Sequence, residues 1–318
     1  MAAIVLKMTP KQMETVKRHY HAYLTDSLPA GSIFLAKLPG CTITAYRSGK
    51  VMFQGKRAEE EALRWDAHAL PNEKKQKRIR KHAWHPPEEM KQLSIIGSDE
   101  VGAGDYFGPL TVVAAFVHRE KIKALKELGV KDSKHLSDAQ IKNIAKVLIQ
   151  TIPYSLLVLH NEKYNELQQS GMSQGKMKAL LHNRAILNVV EKIDFDYDGI
   201  LIDQFAQPDV YFRYLASEKQ TAEPVYFAAQ AEKLHLSVAA ASILARYSFL
   251  IEMEKLSRKL GISLPKGAGK QVDEAAAQLI ANKGKRILKH CAKMHFANTS
   301  KAIHLAIKKH NANVDDEG

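Results

Sequence analysis

The sequence contains little cysteine and tryptophan and no long apolar run. Its two cysteines, Cys41 and Cys291, lie far apart in a chain of 318 residues, so the sequence predicts neither a disulfide framework nor a cysteine-rich zinc site. No stretch approaches the ~18 uninterrupted apolar residues of a membrane span, and residues 1–9 are too short for the apolar segment of a signal peptide. We therefore expect a cytoplasmic protein without a membrane partner.

Acidic residues are also in the minority. Lysine and arginine total 47 against 34 aspartates and glutamates, which gives a formal net charge of +13 and a pI near 9.5. Such an excess attracts polyanions, because each phosphate that a basic side chain neutralises releases condensed counterions. A basic surface can equally serve solubility alone. The charge therefore favours a nucleic-acid partner, while the hydrophobic fraction of 45% indicates an ordinary globular core.

Residues 1–70 have the pattern of a small α+β domain. Thr9 and Gln12 form a capping-box signature with proline at the first helical position, so a helix is expected to begin there. Short β-rich runs separated by glycine-containing turns then predict a meander, which a further helix closes. The predicted strands are residues 32–38, 41–46 and 51–54, and the closing helix is residues 58–70.

Residues 71–92 are predicted to form a basic linker. Lysines and arginines crowd into residues 74–81, and two consecutive prolines follow them. Like charges at this density resist packing. The segment therefore suits either a flexible arm close to nucleic acid or a merely solvated spacer.

Residues 93–310 change to continuous apolar strands that alternate with helices. Three early strands followed by alternating helix and strand predict an α/β domain, in which a mixed sheet carries helices on its faces. The expected strands are residues 93–98, 110–117, 154–159, 200–202 and 225–229. The expected long helices begin at Ser137, Ser173 and Val238. The apolar face predicted for the second of these helices comprises Met177, Leu180, Leu181, Leu187 and Val190.

Carboxylates stand at the ends of these predicted strands. Asp99 and Glu100 follow the first strand, Asp203 ends a later one, and Glu232 precedes the last long helix. Clustered carboxylates are costly unless a cation neutralises them, and oxygen ligands suit Mg²⁺, with Mn²⁺ as a substitute. Two such ions ~3.5–4 Å apart would activate a water and stabilise the leaving oxygen of a phosphoryl displacement. Each acidic residue taken alone would suit a solvated turn equally well.

Three motifs, in the same order, resemble those of the type 2 ribonucleases H, and of the bacterial ribonuclease HIII branch in particular. They are DEVGAGDYFGP at residues 99–109, KDSK at residues 131–134 and SVAAASILA at residues 237–245. The resemblance covers roughly residues 93–300. The basic N-terminal part also resembles the substrate-binding domain that distinguishes ribonuclease HIII from ribonuclease HII.

The resemblance implies a ribonuclease H-like mixed sheet with flanking helices and an N-terminal α+β substrate-binding domain similar to the TATA-binding protein. It implies an endonuclease that hydrolyses the RNA strand of RNA–DNA hybrids with two divalent ions and leaves 3′-hydroxyl and 5′-phosphate ends. No protein partner is evident from the sequence, and we expect a monomer. Asp105 is a rival for the fourth metal-binding position, and Asp209 is a weaker one. The catalytic, metal-holding carboxylates map to Asp99, Glu100, Asp203 and Glu232.

Two positions depart from the ribonuclease HII branch. Gly102-Ala103-Gly104 lacks the central arginine with which that branch reads the junction between a single ribonucleotide and DNA, and Ala268 stands near the position of its sugar-contacting tyrosine. The backbone N–H groups of the glycine-rich turn would remain available to ribose hydroxyls. Both departures predict poor activity on one ribonucleotide embedded in DNA.

Further substrate contacts are predicted on both domains. In the second motif Lys134 would bind a phosphate and Ser133 would donate a hydrogen bond, unless the motif only shapes the entry to a helix. In the N-terminal domain Tyr46, Arg47 and Lys50 surround a hairpin turn that suits sugar–phosphate contact in a wide minor groove. The aromatic residues beside this turn would suit core positions equally well.

A second class of function is compatible with the same sequence. A nucleic-acid-binding protein without catalysis would share the basic charge and would use its carboxylates structurally. Dependence on a divalent metal separates the two, because such a protein would bind hybrids equally well with or without Mg²⁺ and would never cut them.

Overall fold

The computed structural model describes residues 3–26, 28–29, 31–66 and 84–315, with side chains up to residue 308. The chain divides into two compact units, Met1–Lys81 and His82–Gly318. The basic part of the predicted linker, residues 74–81, lies outside the described residues.

In the residues that the structure describes, the N-terminal unit is a four-stranded antiparallel sheet with two α-helices. Its elements are β1 (Ala3–Lys7), α1 (Pro10–His19), β2 (Ser32–Leu38), β3 (Cys41–Tyr46), β4 (Lys50–Gln54) and α2 (Ala58–Leu63), and the strand order is β1-β4-β3-β2. The capping box of α1 is confirmed, since the Thr9 and Gln12 side chains bond reciprocally to each other's backbone. Strand β1 was not predicted, because its short apolar run gains a partner only by pairing with the distant β4.

The closing helix α2 is shorter than predicted. It ends at Leu63, and residues 64–66 leave the helix, while residues 67–70 lie outside the described part of the chain. The indole of Trp65 donates a hydrogen bond to the hydroxyl of Tyr20, 3.2 Å away, and its ring packs beside His19. The chain therefore turns at Trp65 to pack on the end of α1, which the helical pattern alone did not reveal.

Alternation along β3 and β4 separates a core face from an open face. The core face packs against both helices through Ile43, Ala45, Val51 and Phe53. Phe53 is fully buried, so this hairpin aromatic belongs to the core, whereas Tyr46 is half-buried and Arg47 and Lys50 are exposed. The two-residue period of a strand places Tyr46 and Lys50 on the face away from the helices.

The C-terminal unit is a five-stranded mixed sheet with helices on both faces. The strands are β5 (Ile95–Val101), β6 (Leu110–Val117), β7 (Tyr154–Leu159), β8 (Gly199–Asp203) and β9 (Val225–Ala228). The predicted strands are present with small shifts at their ends. In the order β7-β6-β5-β8-β9, strands β5, β6 and β7 are antiparallel neighbours, and β8 and β9 continue the sheet parallel to β5. The helices are α3 (Ile122–Glu127), α4 (Asp138–Thr151), α5 (Asn161–Gln169), α6 (Gln174–Val190), α7 (Pro208–Tyr214), α8 (Leu236–Leu260), α9 (Lys270–Lys283), α10 (Leu288–Cys291) and α11 (Asn298–Asp315).

Helix α8 packs directly on β5 and forms the centre of this unit. A Cβ at Gly97 would lie 2.2 Å from the backbone nitrogen of Val238, so only glycine permits this approach of helix and strand. Gly261 ends the helix in the left-handed conformation, with φ 76°. By length and composition α8 would suit a membrane span, but 72% of its most apolar window is buried inside the protein. Its apolar character is therefore that of a core helix.

Helix α6 buries a different face from the one predicted. Met177 is buried as expected, but the other four predicted core residues are only half-buried. The buried face also carries two polar side chains, His182 and Asn183, which find hydrogen-bond partners in the interior. The prediction was incomplete because it counted only large apolar residues, of which Leu180, Leu181 and Val190 pack against the core while remaining partly exposed. The remaining buried residues of α6 are Ala179, Ala185, Ile186 and Val189.

Residues 84–92 belong to the C-terminal unit and not to a linker. The Trp84 carbonyl accepts a hydrogen bond from the Phe227 backbone, and the Trp84 ring centre lies 5.3 Å from that of Phe212. Met90 is buried and packs with Ile95. The sequence did not predict these few apolar contacts, because charged residues and prolines surround the apolar residues that make them.

Candidate active site

The adjacent ends of β5 and β8 bring two of the predicted carboxylates side by side. In this parallel pair Ser98 lies opposite Ile202, so one residue further along Asp99 comes next to Asp203. Strand β5 extends beyond Glu100, and both of its acidic residues therefore lie within the strand rather than after it. Because side chains alternate along a strand, Asp99 and Glu100 point to opposite faces of the sheet.

Glu100 faces helix α6 and forms two polar contacts with it. Lys178 Nζ donates to Oε1 at 2.8 Å, and His182 Nε2 lies 3.1 Å from Oε2. The other ring nitrogen of the buried His182 lies 2.6 Å from the Ser98 hydroxyl. Burial would raise the pKa of Glu100, but His182 and Lys178 outweigh burial and lower this pKa to about 2.

Lys178 and His182 were missed by the sequence reasoning. They lie one turn apart on α6, a spacing that puts both side chains on the same side of the helix. A lysine and a histidine at that spacing are common on any solvated helix. Their relation to Glu100 exists only because α6 packs on β5.

Asp99 faces helix α8. The Ser242 hydroxyl hydrogen-bonds to its carboxylate, and the Ser133 hydroxyl lies 2.8 Å from that of Ser242. Burial, and then the negative charges of Glu100 and Asp203, raise the pKa of Asp99 well above its usual range. Its negative charge is therefore less well compensated than that of Glu100.

Asp203 holds the turn that carries Glu232. The Ala231 backbone N–H donates to Asp203 Oδ1 at 3.0 Å, and burial and the charge of Glu100 raise the pKa of Asp203. Glu232 is buried, and its Oε1 lies 3.6 Å from Lys134 Nζ but has no hydrogen-bond partner. A buried carboxylate oxygen without a hydrogen-bond partner is available to bind a cation.

The exposed Lys134 is a second cation at the cluster, in addition to Lys178. Burial of its stem would lower the pKa of Lys134, but the carboxylates around its ammonium group outweigh this effect and raise it. These carboxylates belong to Glu232, Asp132, Asp203 and Asp99. Carboxylates from separate segments of the chain therefore lie close enough to one ammonium group to interact with it electrostatically.

The acidic residues lie near one another, but their side chains do not surround a common metal-binding position. Within the described residues, no three histidine, cysteine, aspartate or glutamate side chains converge closely enough to hold a metal ion. Lys178 draws Glu100 to one face of the sheet, while Lys134 pairs with Glu232 on the other side of the cluster. The Glu232 oxygen that lacks a hydrogen-bond partner and the set of oxygen donors nevertheless fit a hard divalent cation such as Mg²⁺ or Mn²⁺.

The two rival carboxylates lie apart from this cluster. Asp105 accepts a hydrogen bond from the Gly267 backbone at 2.6 Å, and its side chain is directed to that loop. Asp209 is exposed in the first turn of α7. The geometry therefore favours Glu232 as the fourth member of the acidic cluster.

The predicted substrate residues divide into accessible and inaccessible ones. Ser133 is buried, and its hydroxyl lies 2.8 Å from that of Ser242, so its role as a substrate contact stays a prediction. Lys134 is exposed, and its backbone N–H donates to the Asp132 carboxylate, so the motif both shapes a turn and presents the lysine. In the glycine-rich turn Gly104 is exposed and borders open space.

The sheet order, the central helix and the acidic strand ends define a ribonuclease H-like nuclease domain. A family model described as Ribonuclease HII matches residues 96–299, and one described as Domain of unknown function (DUF3378) matches residues 3–78. Ribonuclease HIII of Bacillus velezensis is 56% identical over 97% of this chain and 99% of its own length, and that of Bacillus subtilis is 57% identical over 97% and 99%. The crystal structure of Bst-RNase HIII in complex with Mn²⁺ is similar with a TM-score of 0.67 and 48% identity, covering 96% of this chain and 99% of that one. This chain belongs to the ribonuclease HIII family and is a ribonuclease H.

The raised pKa of Asp99 predicts that this residue destabilises the folded state of the metal-free protein at high pH. A carboxyl group whose pKa is higher in the folded state stabilises the fold at low pH, and this contribution is lost as the pH rises through the folded-state pKa. In the presence of a chelator, Asp99→Asn should therefore raise the melting temperature at pH 8 by roughly 2–4 °C, which corresponds to about 1 kcal/mol in a domain of this size. The gain should shrink towards pH 4.

Thermal unfolding of the wild-type protein and the variant across this pH range checks the prediction. Asp209→Asn, at an exposed site, is the matched control and should leave the melting temperature unchanged. A gain from Asp99→Asn that is the same at every pH would show that charge repulsion is not its cause.

Proposed function

We propose that this ribonuclease H hydrolyses the RNA strand of RNA–DNA hybrids with two divalent ions held by Asp99, Glu100, Asp203 and Glu232. The observation that carries the proposal is the acidic cluster at the ends of β5 and β8, in which a buried Glu232 oxygen has no hydrogen-bond partner. The Mn²⁺ in the related Bst-RNase HIII structure supports a divalent cation. Bound ions of this kind activate a water and stabilise the leaving 3′-oxygen, which yields 3′-hydroxyl and 5′-phosphate ends. Mg²⁺ is the proposed ion, with Mn²⁺ as a substitute.

The protein's own residues prepare this site for a cation. Lys178 and His182 keep Glu100 ionised at neutral pH, because they lower its pKa to about 2. Asp203 holds the turn of Glu232 through the Ala231 N–H. Lys134 Nζ lies 3.6 Å from Glu232 Oε1 and forms no hydrogen bond with it. The exposed ammonium group of Lys134 can therefore leave the Glu232 carboxylate and bind a substrate phosphate.

Selection of ribonucleotides is assigned to the turn at Gly102-Ala103-Gly104. Gly102 adopts a left-handed conformation with φ 95°, and a Cβ there would lie 2.2 Å from the Pro109 carbonyl oxygen, so only glycine fits at this position of the turn. Backbone N–H groups can bind ribose hydroxyls but cannot replace a guanidinium group at a junction with DNA. We therefore propose that hybrids with consecutive ribonucleotides are the substrate and that a single embedded ribonucleotide is a poor one.

The N-terminal unit is proposed to add affinity for the sugar–phosphate backbone. Tyr46 and Lys50 lie on its open sheet face, and Arg47 is exposed in the adjoining hairpin turn. Aromatic and cationic groups on an open surface suit the wide minor groove of a hybrid. One chain thus carries both a proposed binding face and a proposed acidic site, which is consistent with action as a monomer.

Removing a negative charge from the acidic cluster should abolish most of the activity. Asp203→Asn and Glu232→Gln preserve side-chain size, and each should lower kcat on a hybrid by roughly 10²-fold or more, the scale of removing an electrostatic interaction with the transition state. Binding of the hybrid should persist, because phosphate contacts lie mainly on other residues. Initial rates with labelled hybrid and Mg²⁺ measure the effect.

Asp105→Asn and Asp209→Asn are the matched controls, and both should cost far less. If Glu232→Gln kept near-wild-type activity while Asp105→Asn were inactive, the fourth carboxylate would be Asp105. A wild-type protein that binds hybrids equally with and without Mg²⁺ and never cuts them would favour the non-catalytic alternative.

The substrate itself can be tested with a panel of labelled duplexes. The wild-type protein should cut a hybrid with several consecutive ribonucleotides in the presence of Mg²⁺, leave duplex DNA intact and act slowly on one ribonucleotide embedded in DNA. Initial rates and end-group analysis of the products measure both specificity and chemistry. Equal rates on the two ribonucleotide-containing substrates would contradict the role given to Gly102-Ala103-Gly104.

Removal of the two cations at the hairpin should weaken binding and flatten its salt dependence. The double variant Arg47→Ala/Lys50→Ala should raise the KM for hybrid with little change in kcat. The slope of log affinity against log salt should fall by ~0.9 for each duplex phosphate that the protein no longer neutralises. Lys11→Ala, exposed on α1 at the other face of the sheet, is the control and should leave the slope unchanged. An unaltered slope in the double variant would give the hairpin a structural role only.

A further inference from the structure

Side chains from outside the turn hold the carbonyl groups of the segment Gly102–Gly108. Lys293 Nζ donates hydrogen bonds to the carbonyl oxygens of Asp105 at 2.8 Å and Gly108 at 2.7 Å. Gln174 Nε2 donates to the carbonyl oxygen of Ala103 at 3.0 Å. The turn is therefore held by side chains from α6 and from the segment after α10, and Asn161 of α5 also donates to the Gly108 carbonyl oxygen at 2.9 Å.

Lys293 is fully buried, and its hydrogen-bond partners are main-chain carbonyls rather than a carboxylate. Burial lowers the pKa of Lys293 to about 7, and both the ammonium and the neutral amine can donate two hydrogen bonds. Burying such a group costs free energy that an apolar side chain of similar length would not. The residue therefore contributes something specific, and the contacts indicate that it fixes two peptide units of the turn.

The hydrogen bond from Gln174 sets the direction of one particular N–H group. The carbonyl of Ala103 and the N–H of Gly104 belong to one planar, trans peptide unit, so they point in opposite directions. Because Gln174 binds the Ala103 carbonyl, the Gly104 N–H is directed away from α6. Gly104 is exposed, and a Cβ built on it would meet nothing within 4 Å, so there is open space around this residue. Gln174 is itself held by the Tyr164 hydroxyl, which accepts its second hydrogen bond at 2.8 Å.

We propose that Gln174 and Lys293 are positioning residues that hold the turn Gly102–Gly108 with the Gly104 N–H presented to a ribose hydroxyl of the substrate. The assignment rests on the proposed function, since it concerns the same hybrid substrate. The hydrogen bonds of both side chains go to the turn and to Tyr164 rather than to the acidic cluster. Both residues therefore act on recognition of the ribonucleotide strand and leave the chemical step to the carboxylates.

The test compares Gln174→Leu and Lys293→Met with the exposed controls Gln169→Leu and Lys289→Met. Each positioning variant should raise the KM for a hybrid with consecutive ribonucleotides roughly 10-fold, which corresponds to about 1.4 kcal/mol. Its kcat should change by less than about threefold, since only binding is weakened. Affinity for duplex DNA should stay at the wild-type value, because DNA offers no 2′-hydroxyl. Circular dichroism establishes that each variant is folded.

Two results would overturn the assignment. Folded variants with an unchanged KM would show that the turn keeps its shape without these side chains, and equal weakening for hybrid and DNA would show a general loss of structure. If Lys293→Met does not fold, Gln174→Leu at the half-buried end of α6 decides the matter. If the wild-type protein does not cleave the hybrid, the proposed function itself is wrong. If the wild-type protein cleaves the hybrid and both variants behave as the wild type does, only the assignment of the two positioning residues is wrong.

Discussion

Repulsion between carboxylates at the adjoining ends of β5 and β8 is the constraint around which this unit is built. Parallel pairing places Asp99 beside Asp203, and burial of both raises the pKa of each. The surrounding cations, Lys134 and Lys178, offset part of the charge. Compensation remains incomplete, since a buried oxygen of Glu232 has no hydrogen-bond partner. A cluster in this condition gains free energy when a divalent cation binds.

The two faces of the sheet contribute different support to the cluster. Helix α6 supplies Lys178 and His182, which keep Glu100 ionised, and its N-terminal residue Gln174 orients the glycine-rich turn. Helix α8 supplies Ser242 to Asp99 and approaches β5 closely because Gly97 has no side chain. Charge, helix packing and turn geometry are therefore linked, and a change in the docking of either helix would alter all three.

Much of the architecture followed from local patterns. The capping boxes of α1 and α4, the strand runs and Gly261 are short-range signals, and each depends on only a few neighbouring residues. Prediction failed where distant segments decided the outcome. Strand β1 needs its partner β4, and residues 84–92 pack on β9 and α7 despite their linker-like composition. The buried face of α6 was misjudged because His182 and Asn183 are satisfied by residues far along the chain.

By itself, the sequence determined which carboxylates stand at strand ends, the basic charge and the resemblance to ribonuclease HIII, because these depend on composition and local motif order. Only the tertiary structure decided which acidic residues meet. It brought Glu232 to Asp203 and Lys134, and turned Asp105 towards Gly267. The structure also showed that Ser133 is buried beside Ser242 and that Lys293 donates hydrogen bonds to the carbonyls of the glycine-rich turn. Distances between remote segments depend on how the helices pack on the sheet, and no local pattern encodes that packing.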